Sequence, residues 1–335
     1  MSKGKELVLE VNHLSICFDL PNGQQAKVVE DVSFSVYKGE TLALVGESGS
    51  GKSITSLAIM RLLPIPPGRI TSGNIRLNGQ ELLEMKLKDM SSIRGNEVSM
   101  IFQEPMTSLD PVFKVSSQLI EGIRRHQKVS KKEAFAIALG MLKEVGIANA
   151  EKVMHEYPHQ LSGGMRQRVM IAMAMANNPK LLIADEPTTA LDVTVQAQIL
   201  RLMLKMKEEH GSAILFITHD MGVVAETADR VMVMYAGQIV EEAPVKTLFT
   251  EPKHPYTIAL LKTIPSLDAD VDRLPSIPGT VPSASQMPNG CRFAARCEHA
   301  MPICRENQPN IVQFEHRQQV RCHLYTEEGM MANVE

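Results

Sequence analysis

The feature of the sequence that most constrains the fold is a glycine-rich stretch at residues 46–53, GESGSGKS. It matches the pattern G-x-x-x-x-G-K-[ST], follows the apolar run at 42–45, and leads into a predicted helix at 52–63 that ends before Pro64. The backbone N–H groups of such a loop and the N-terminus of its helix attract phosphate oxygens. We therefore expect a nucleoside triphosphate to bind this phosphate loop. A turn that matches the pattern by chance is the alternative.

The phosphate loop contains the groups that this chemistry requires. Lys52 can reach the β- and γ-phosphates, and the Ser53 hydroxyl can bind Mg²⁺. The residues predicted to contact the nucleotide or its metal ion are Gly46, Glu47, Ser48, Gly49, Ser50, Gly51, Lys52 and Ser53.

Length and charge limit what the chain can be. At 335 residues it is too long for one average domain, so we expect one large domain with a smaller appendage. A net charge of -3 provides no broad basic surface for nucleic acid. No segment approaches the about 18 consecutive apolar residues of a membrane span, and the first residues lack the apolar region of a signal peptide. We therefore expect a cytoplasmic protein with no nucleic acid partner.

The hydrophobic pattern changes three times along the chain. Residues 7–45 are rich in strand-forming residues, with apolar and polar positions alternating at 32–36 and a turn at 21–23, which predicts antiparallel hairpins. Residues 115–178 have helical spacing and predict a helical insert. Between 181 and 235, short apolar strands alternate with helical segments, which predicts a parallel sheet flanked by helices. After about residue 253 prolines become frequent, which predicts a loop-rich tail.

A second functional site is predicted at a strand end, where Asp185 and Glu186 follow the apolar run at 181–184. Because successive strand residues point to opposite faces, the two carboxylates need not share a role. Asp185 can face Mg²⁺, while Glu186 can position the attacking water. The alternative is an acid that caps a helix N-terminus, but capping requires only one such acid.

Residues 161–167, LSGGMRQ, form the most specific stretch in the chain. Ser162 stands where an N-cap would begin a helix that continues to Ala176. An anion near this point would be attracted by three features together: the Ser162 hydroxyl, the N–H groups of Gly163 and Gly164, and the helix dipole. Gln167 is included in this predicted nucleotide contact. One triphosphate needs one phosphate loop, so we expect this stretch to complete the site of another subunit. A well-capped helix start is the alternative.

Taken together, these motifs resemble the nucleotide-binding subunits of ABC (ATP-binding cassette) transporters, over nearly all of the first 240 residues. Gln103 is similar to the family's Q-loop glutamine, which contacts Mg²⁺ and water. Residues 190–192 resemble its D-loop, and His219 matches the switch histidine that contacts the γ-phosphate. Phe18 is, by position, the aromatic residue expected to stack on adenine; a role in the core is the alternative.

The C-terminal part resembles the extension found on dipeptide and oligopeptide importer ATPases, beginning with KHPYT at 253–257. Cys291, Cys297, Cys304 and Cys322 follow, with 5, 6 and 17 residues between them. Four thiolates suit either Zn²⁺ or an iron–sulfur cluster. A tight C-x₂₋₄-C pair, typical of structural zinc, is missing, so the spacing favours [4Fe-4S], which some members of the family contain. Four buried thiols packed as small apolar groups are the alternative, and Cys17 is expected to be such a thiol.

The resemblance implies both a fold and a set of partners. The fold is an α/β P-loop NTPase cassette with a RecA-like parallel sheet, an antiparallel β subdomain and an α-helical subdomain at about 104–178. It occupies residues 1–253 and is followed by the extension at 254–335. The implied partners are a second ATPase subunit, two transmembrane permease subunits and an extracytoplasmic peptide-binding protein, with the chain on the cytoplasmic face of the membrane. The family usually pairs two related ATPases as a heterodimer, and a homodimer is the alternative.

Two alternatives to peptide import stay open. The same type of subunit serves nickel and glutathione importers, and the ATPase does not touch the transported substrate. A different class is the soluble ABC ATPases that act on DNA or ribosomes. Those proteins usually carry two cassettes or a long coiled coil, whereas this chain has one cassette and no sustained heptads.

Overall fold

The computed structural model describes residues 6–103, 108–189, 191–264 and 276–327. The strands are β1 (Leu7–Asp19), β2 (Gln25–Tyr37), β3 (Thr41–Val45), β4 (Gly68–Leu77), β5 (Gln80–Glu81), β6 (Val98–Ile101), β7 (Leu181–Asp185), β8 (Ala213–Thr218), β9 (Arg230–Tyr235), β10 (Gln238–Pro244), β11 (Ile311–Gln313) and β12 (Gln319–Arg321). The α-helices are α1 (Lys52–Ile59), α2 (Met90–Ile93), α3 (Val115–His126), α4 (Lys131–Glu144), α5 (Ala150–Val153), α6 (Gly163–Met175), α7 (Val193–His210), α8 (Met221–Thr227), α9 (Val245–Thr250), α10 (Pro255–Lys262) and α11 (Pro302–Glu306). Among the described residues, no helix is long and apolar enough to cross a membrane.

The chain divides into two units. The first consists of Met1–Leu9, Val36–Glu40 and Leu77–Phe216, and the second of Glu10–Ser35, Thr41–Arg76 and Ile217–Glu335, so far as these are described. The predicted boundary near residue 253 and the predicted helical subdomain stay predictions. Residues 104–107, at the start of that subdomain, and 265–275 and 328–335, in the predicted extension, lie outside the described part of the chain.

In the first unit, β6 and β7 form a parallel pair in which Val98 lies opposite Leu181. Every residue of β7 is buried, which explains its unbroken apolar run. The predicted helices of the insert are present as α3, α4 and α6. Helix α4 begins with a capping box, because the Ser130 hydroxyl accepts from the N–H of Glu133 and the Glu133 carboxylate accepts from the N–H of Ser130.

In the second unit, β2, β1 and β4 are neighbours in that order, and the predicted turn at 21–23 joins β1 to β2. The N–H of Leu20 donates to the carbonyl of Gln24 at 2.8 Å. The two apolar runs predicted as separate strands, 7–11 and 14–18, form the single strand β1. His13 interrupts its regular geometry with a φ of 51°, and its ring bonds to Asp31 at 2.7 Å.

The buried strand β3 pairs in parallel with β9 in the second unit, with Leu44 opposite Met232. β10 pairs antiparallel with β9, β12 with β10 and β11 with β12. The alternation of strands and helices predicted from 181 to 235 is therefore present as β7, α7, β8, α8 and β9. The prediction of a loop-rich tail is incomplete, because that tail adds β11 and β12. These strands are only three residues long, so they show no detectable period.

Helix α1 is shorter than predicted. It ends at Ile59 with Met60 as its C-cap, and Arg61 follows with a φ of 51°. This left-handed residue ends the helix before the prolines can, so the predicted end at residue 63 is wrong.

Candidate nucleotide-binding site

The phosphate loop connects β3 to α1, and its glycines are required by its geometry. Gly46, Gly49 and Gly51 have φ values of 155°, 78° and 104°. A Cβ on Gly46 would lie 2.1 Å from the carbonyl oxygen of Met234, and one on Gly51 would lie 3.0 Å from that of Val28. The loop can therefore lie this close to neighbouring backbone only because these residues lack side chains.

Lys52 is the first residue of α1 and is buried, and its side chain reaches back across the phosphate loop. Its Nζ donates to the carbonyl oxygens of Gly46 at 2.7 Å and Glu47 at 3.0 Å. The first turn of α1 contains no acidic residue, so nothing there offsets the positive helix N-terminus. Ser53 follows, half-buried. A positive side chain, a helix N-terminus and a hydroxyl thus lie together, as phosphate binding requires.

Two residues that the sequence did not single out as site residues hold Glu47, in the phosphate loop. The N–H of Glu47 donates to the phenol oxygen of the buried Tyr256 at 2.9 Å. Its carboxylate accepts from both terminal nitrogens of Arg296, Nη1 to Oε2 at 2.7 Å and Nη2 to Oε1 at 3.0 Å. This pairing with Glu47 raises the pKa of Arg296 above its ordinary value. Arg296 is 249 positions from Glu47, so no local pattern could have revealed it.

The predicted acidic pair ends β7 in the first unit. Asp185 is its last residue and is 3% exposed, whereas Glu186 is half-buried and has a φ of 47°. Glu186 Oε2 accepts from Gln103 Nε2 at 3.1 Å and from the Thr189 hydroxyl at 3.0 Å. A non-glycine residue in this conformation costs about 1–3 kcal/mol, which is characteristic of functional positions. The structure therefore brings together two residues predicted to share a site, Gln103 and Glu186.

The stretch 161–167 forms the start of α6 as expected. The Ser162 hydroxyl accepts from the N–H of Met165 at 3.3 Å, and Ser162 and Gly163 are exposed. A Cβ on Gly164 would lie 3.1 Å from Val195 Cγ1, so only a very small residue packs easily there. The hydroxyl and the helix N-terminus are accessible to an anion from outside the chain.

Gln167, which is predicted to contact the nucleotide, lies inside the protein. It is fully buried, and its Nε2 donates to the carbonyl of Pro187 at 2.6 Å. In the predicted D-loop, Ala190 lies outside the described residues, and Asp192 caps α7 by accepting from the N–H of Val195 at 2.9 Å. The nucleotide roles of these residues stay predictions.

His219 and Phe18 both lie in the second unit. His219 follows β8 and is exposed, and its contact with the γ-phosphate stays a prediction. Phe18 lies near the end of β1 and is half-buried. Its stacking on adenine stays a prediction, while the nearby Cys17 is a buried thiol, as expected.

The four C-terminal cysteines are free thiols. They lie close enough together for the charge of one to affect the pKa of another. Burial raises the pKa of Cys291 to about 11 and that of Cys322 to about 12, and the neighbouring cysteines add to both shifts. Burial also raises the pKa of Cys297. The N–H of Cys291 donates to the carbonyl of Cys304 at 2.8 Å. Across the described ranges, however, no three His, Cys, Asp or Glu side chains are arranged to hold a metal ion.

Comparison with protein families gives two matches. The model of the ABC transporter family matches residues 29–189. The model of the oligopeptide/dipeptide transporter C-terminal region matches residues 240–304, which contain Tyr256, Arg296 and three of the four cysteines.

Curated proteins match over almost the whole chain. The oligopeptide transport ATP-binding protein AppD of Bacillus subtilis is 54% identical over 322 residues, covering 96% of this chain and 98% of that protein. OppD of the same organism, also an oligopeptide transport ATP-binding protein, is 52% identical over 303 residues, covering 90% of this chain and 84% of its own length.

Among solved structures, the ATP-binding cassette MJ0796 is similar in fold. A dimeric post-hydrolysis state of it bound to ADP and Pi matches with a TM-score of 0.63 and 26% identity, covering 71% of this chain and 98% of that one. Another dimeric structure of the same bacterial ABC transporter cassette also has a TM-score of 0.63, with 27% identity.

Proposed function

Because the chain belongs to the ATP-hydrolysing subunits of the ABC transporter family that carry the oligopeptide/dipeptide C-terminal region, we propose that it powers the import of peptides. The observation that carries the substrate class is the match of that C-terminal region, joined to 54% identity with an oligopeptide transport protein over 96% of the chain. ATP hydrolysis would drive separate membrane permease subunits.

The residues of the phosphate loop bind the triphosphate in this proposal. Lys52 exchanges its bonds to the carbonyls of Gly46 and Glu47 for phosphate oxygens. The Ser53 hydroxyl and the Asp185 carboxylate are oxygen donors of the kind that Mg²⁺ prefers. When bound, Mg²⁺ neutralises charge on the phosphates.

Glu186 is the proposed general base. Its carboxylate releases Gln103 and Thr189, accepts a proton from the attacking water and directs that water to the γ-phosphate. Gln103 would hold the metal ion and water, and His219 would contact the γ-phosphate. The left-handed conformation of Glu186 fixes the direction of its side chain at the end of a rigid strand.

A second ATPase subunit completes each site. The exposed Ser162 hydroxyl and the N-terminus of α6 offer an anion site on the surface, and the related cassette MJ0796 is dimeric. We therefore propose a head-to-tail pair, in which residues 161–167 of one chain contact the ATP bound by the other. The partner is a second, related ATPase, and the pair binds two permease subunits on the cytoplasmic face of the membrane.

The test combines purification with transport. The tagged chain, isolated from its native membranes, is expected to retain two hydrophobic permeases and a related ATPase, identified by mass. Vesicles reconstituted with this complex and its peptide-binding protein should take up peptide in an ATP-dependent manner, and the Glu186→Gln complex should not. Recovery with ribosomes or DNA, or uptake of only a nickel chelate or glutathione, would contradict the peptide assignment.

The four cysteines are proposed to hold a [4Fe-4S] cluster. Two observations support this: Cys304 and Cys322 are buried while Cys291 and Cys297 are half-buried, and the charges of Cys291, Cys297 and Cys304 affect the pKa of Cys322. A protein-bound cluster requires four thiols around one volume. Zn²⁺ is the alternative occupant, because four thiolates suit either group. Since the pKa values of Cys291, Cys297 and Cys322 are raised, these thiols are protonated, and loading the group must release protons.

The cluster proposal has a direct test. Protein purified without oxygen should be brown and contain about four irons and four sulfides per chain. Loading should be more favourable at higher pH, because the thiols must lose protons. The Cys297→Ala variant should lose the colour, while Cys17→Ala should keep it. A colourless protein with one zinc per chain would reverse the assignment.

A further inference from the structure

The segment around the first two cysteines contacts the phosphate loop directly. Between Cys291 and Cys297, the chain carries Arg292 and Arg296. Arg296 forms the bidentate pair with the Glu47 carboxylate, and its side chain is 4% exposed. Paired planar groups of this kind fix direction as well as distance, so the position of Arg296 determines where Glu47 lies.

Arg296 is itself held rigidly. Its Nε donates to the carbonyl of Pro278 at 2.8 Å, and Nη2 donates to that of Ile277 at 3.2 Å. The guanidinium lies 5.7 Å from the ring centre of Tyr235 and 5.9 Å from that of Phe293. These contacts restrict the side chain of Arg296, so the C-terminal part of the chain helps to set the position of the ion pair.

Arg292 supports the other side of the phosphate loop indirectly, through the backbone of residues 236–237. It donates to the carbonyl of Ala236 and to the Glu30 carboxylate. Gly237, next in the chain, donates its N–H to the carbonyl of Ser50 in the phosphate loop at 2.8 Å. The two arginines, four positions apart, therefore support both Glu47 and Ser50.

We propose that Arg296 is a positioning residue of the phosphate loop, through which the C-terminal segment sets the affinity of the chain for ATP. Arg296 does not reach the nucleotide in this account. It holds Glu47, and with it the carbonyl that Lys52 contacts, so that the loop is ordered before ATP arrives. Without the ion pair, part of the binding free energy must order the loop, and affinity falls. This inference rests on the proposed binding of ATP by residues 46–53.

The test compares Arg296→Gln with Arg305→Gln, an exposed arginine of the same C-terminal segment. The Kd for ATP is measured on the full chain, and KM and kcat on the assembled complex. Arg296→Gln should raise Kd and KM about 5- to 30-fold and leave kcat within about twofold, because it removes uniform binding. Arg296→Lys should recover part of the affinity, since it restores one contact of two. Arg305→Gln should match the wild type.

Several outcomes would overturn the inference. One is an unchanged Kd in Arg296→Gln when the wild type binds ATP; another is a fall in kcat with KM unchanged. A wild type that binds no ATP would instead contradict the proposed function. If Arg296→Gln does not fold, the Kd for ATP is measured instead for Glu47→Gln, for Arg296→Lys and for the variant that carries both substitutions. The double variant should bind ATP no more than about twofold more weakly than the weaker single variant, whereas additive losses would show that the two residues act independently.

Discussion

The phosphate loop of the second unit and Glu186 of the first are held in contrasting ways. The loop is fixed by residues from distant parts of the chain, through the buried phenol of Tyr256 and the bidentate contact of Arg296. Glu186 is held by single bonds from Gln103 and Thr189, whose side chains are exposed. Bonds within a buried network are costly to break, and bonds at an exposed site exchange readily with water or ligand.

This contrast matches the different roles proposed for the loop, which binds ATP, and for Glu186, which acts as a base. A loop that binds phosphate has higher affinity when it is already ordered, since ordering it on binding would use part of the binding free energy. A general base must instead exchange its partners for the attacking water once the nucleotide is present. Changing one side of this contrast at a time separates the two roles.

The largest effect is expected at Glu186. Glu186→Gln removes the base but keeps the size of the side chain and one oxygen that can accept a hydrogen bond, so ATP turnover should fall about 100- to 10,000-fold while ATP binding persists. Lys52→Ala should weaken ATP binding itself. Both are measured as Kd on the chain and as turnover in the assembled complex. Near wild-type turnover in Glu186→Gln would remove Glu186 from the catalytic role.

A methyl group in the loop should break its preformed geometry. In Gly46→Ala the new Cβ would lie 2.1 Å from the Met234 carbonyl, so we expect a loss of about 3 kcal/mol in the free energy of unfolding, and a loss of ATP binding. Gly23→Ala is the control, because Gly23 has a φ of 79° but nothing within 4 Å of an added Cβ. It should lose about 1 kcal/mol and keep its affinity. Equal losses in both variants would show that the close approach is unimportant.

The sequence predicted the local parts of this site and missed the long-range ones. The phosphate loop, the cap at Ser162 and the strand that ends at Asp185 follow from patterns of a few residues. Tyr256 and Arg296 lie 209 and 249 positions from Glu47, and their contacts arise only when the chain folds. Strands β11 and β12 were missed for a related reason, since three-residue strands are defined by their partners rather than by their own sequence.

The support behind the loop should depend on pH. Complete burial lowers the pKa of His254 from 6.5 to about 3, so folded His254 is neutral where the unfolded chain would bind a proton. Its contribution to stability is present above pH 6.5 and is lost as pH falls toward 3. Urea unfolding at pH 7.5 and pH 5 should show this loss. His254→Asn keeps an acceptor for the N–H of Tyr256 and should reduce the pH dependence, whereas the exposed His299→Asn should not.

Removing one hydroxyl tests the link from the C-terminal part to the loop. Tyr256→Phe leaves the N–H of Glu47 without its phenol partner, so the free energy of unfolding should fall by about 1–2 kcal/mol and the Kd for ATP should rise. Tyr325→Phe is the matched control, because its hydroxyl donates to the carbonyl of Lys253 at 3.0 Å, a bond that does not involve the loop. It should lose stability with no change in Kd. A parallel rise in Kd for both variants would mean that general destabilisation, and not the loop contact, lowers affinity.

The smallest effect is expected at Thr189, whose hydroxyl donates to Glu186 at 3.0 Å. Thr189→Ala removes a bond that favours the charged carboxylate, which makes Glu186 a slightly stronger base and frees it to meet water. Basal turnover should therefore rise about twofold, with stability changed by less than about 0.5 kcal/mol. Thr194→Ala, an exposed threonine in the first turn of α7, is the control and should leave turnover unchanged. A large fall in turnover for Thr189→Ala would show that Glu186, like the phosphate loop, depends on being held in place.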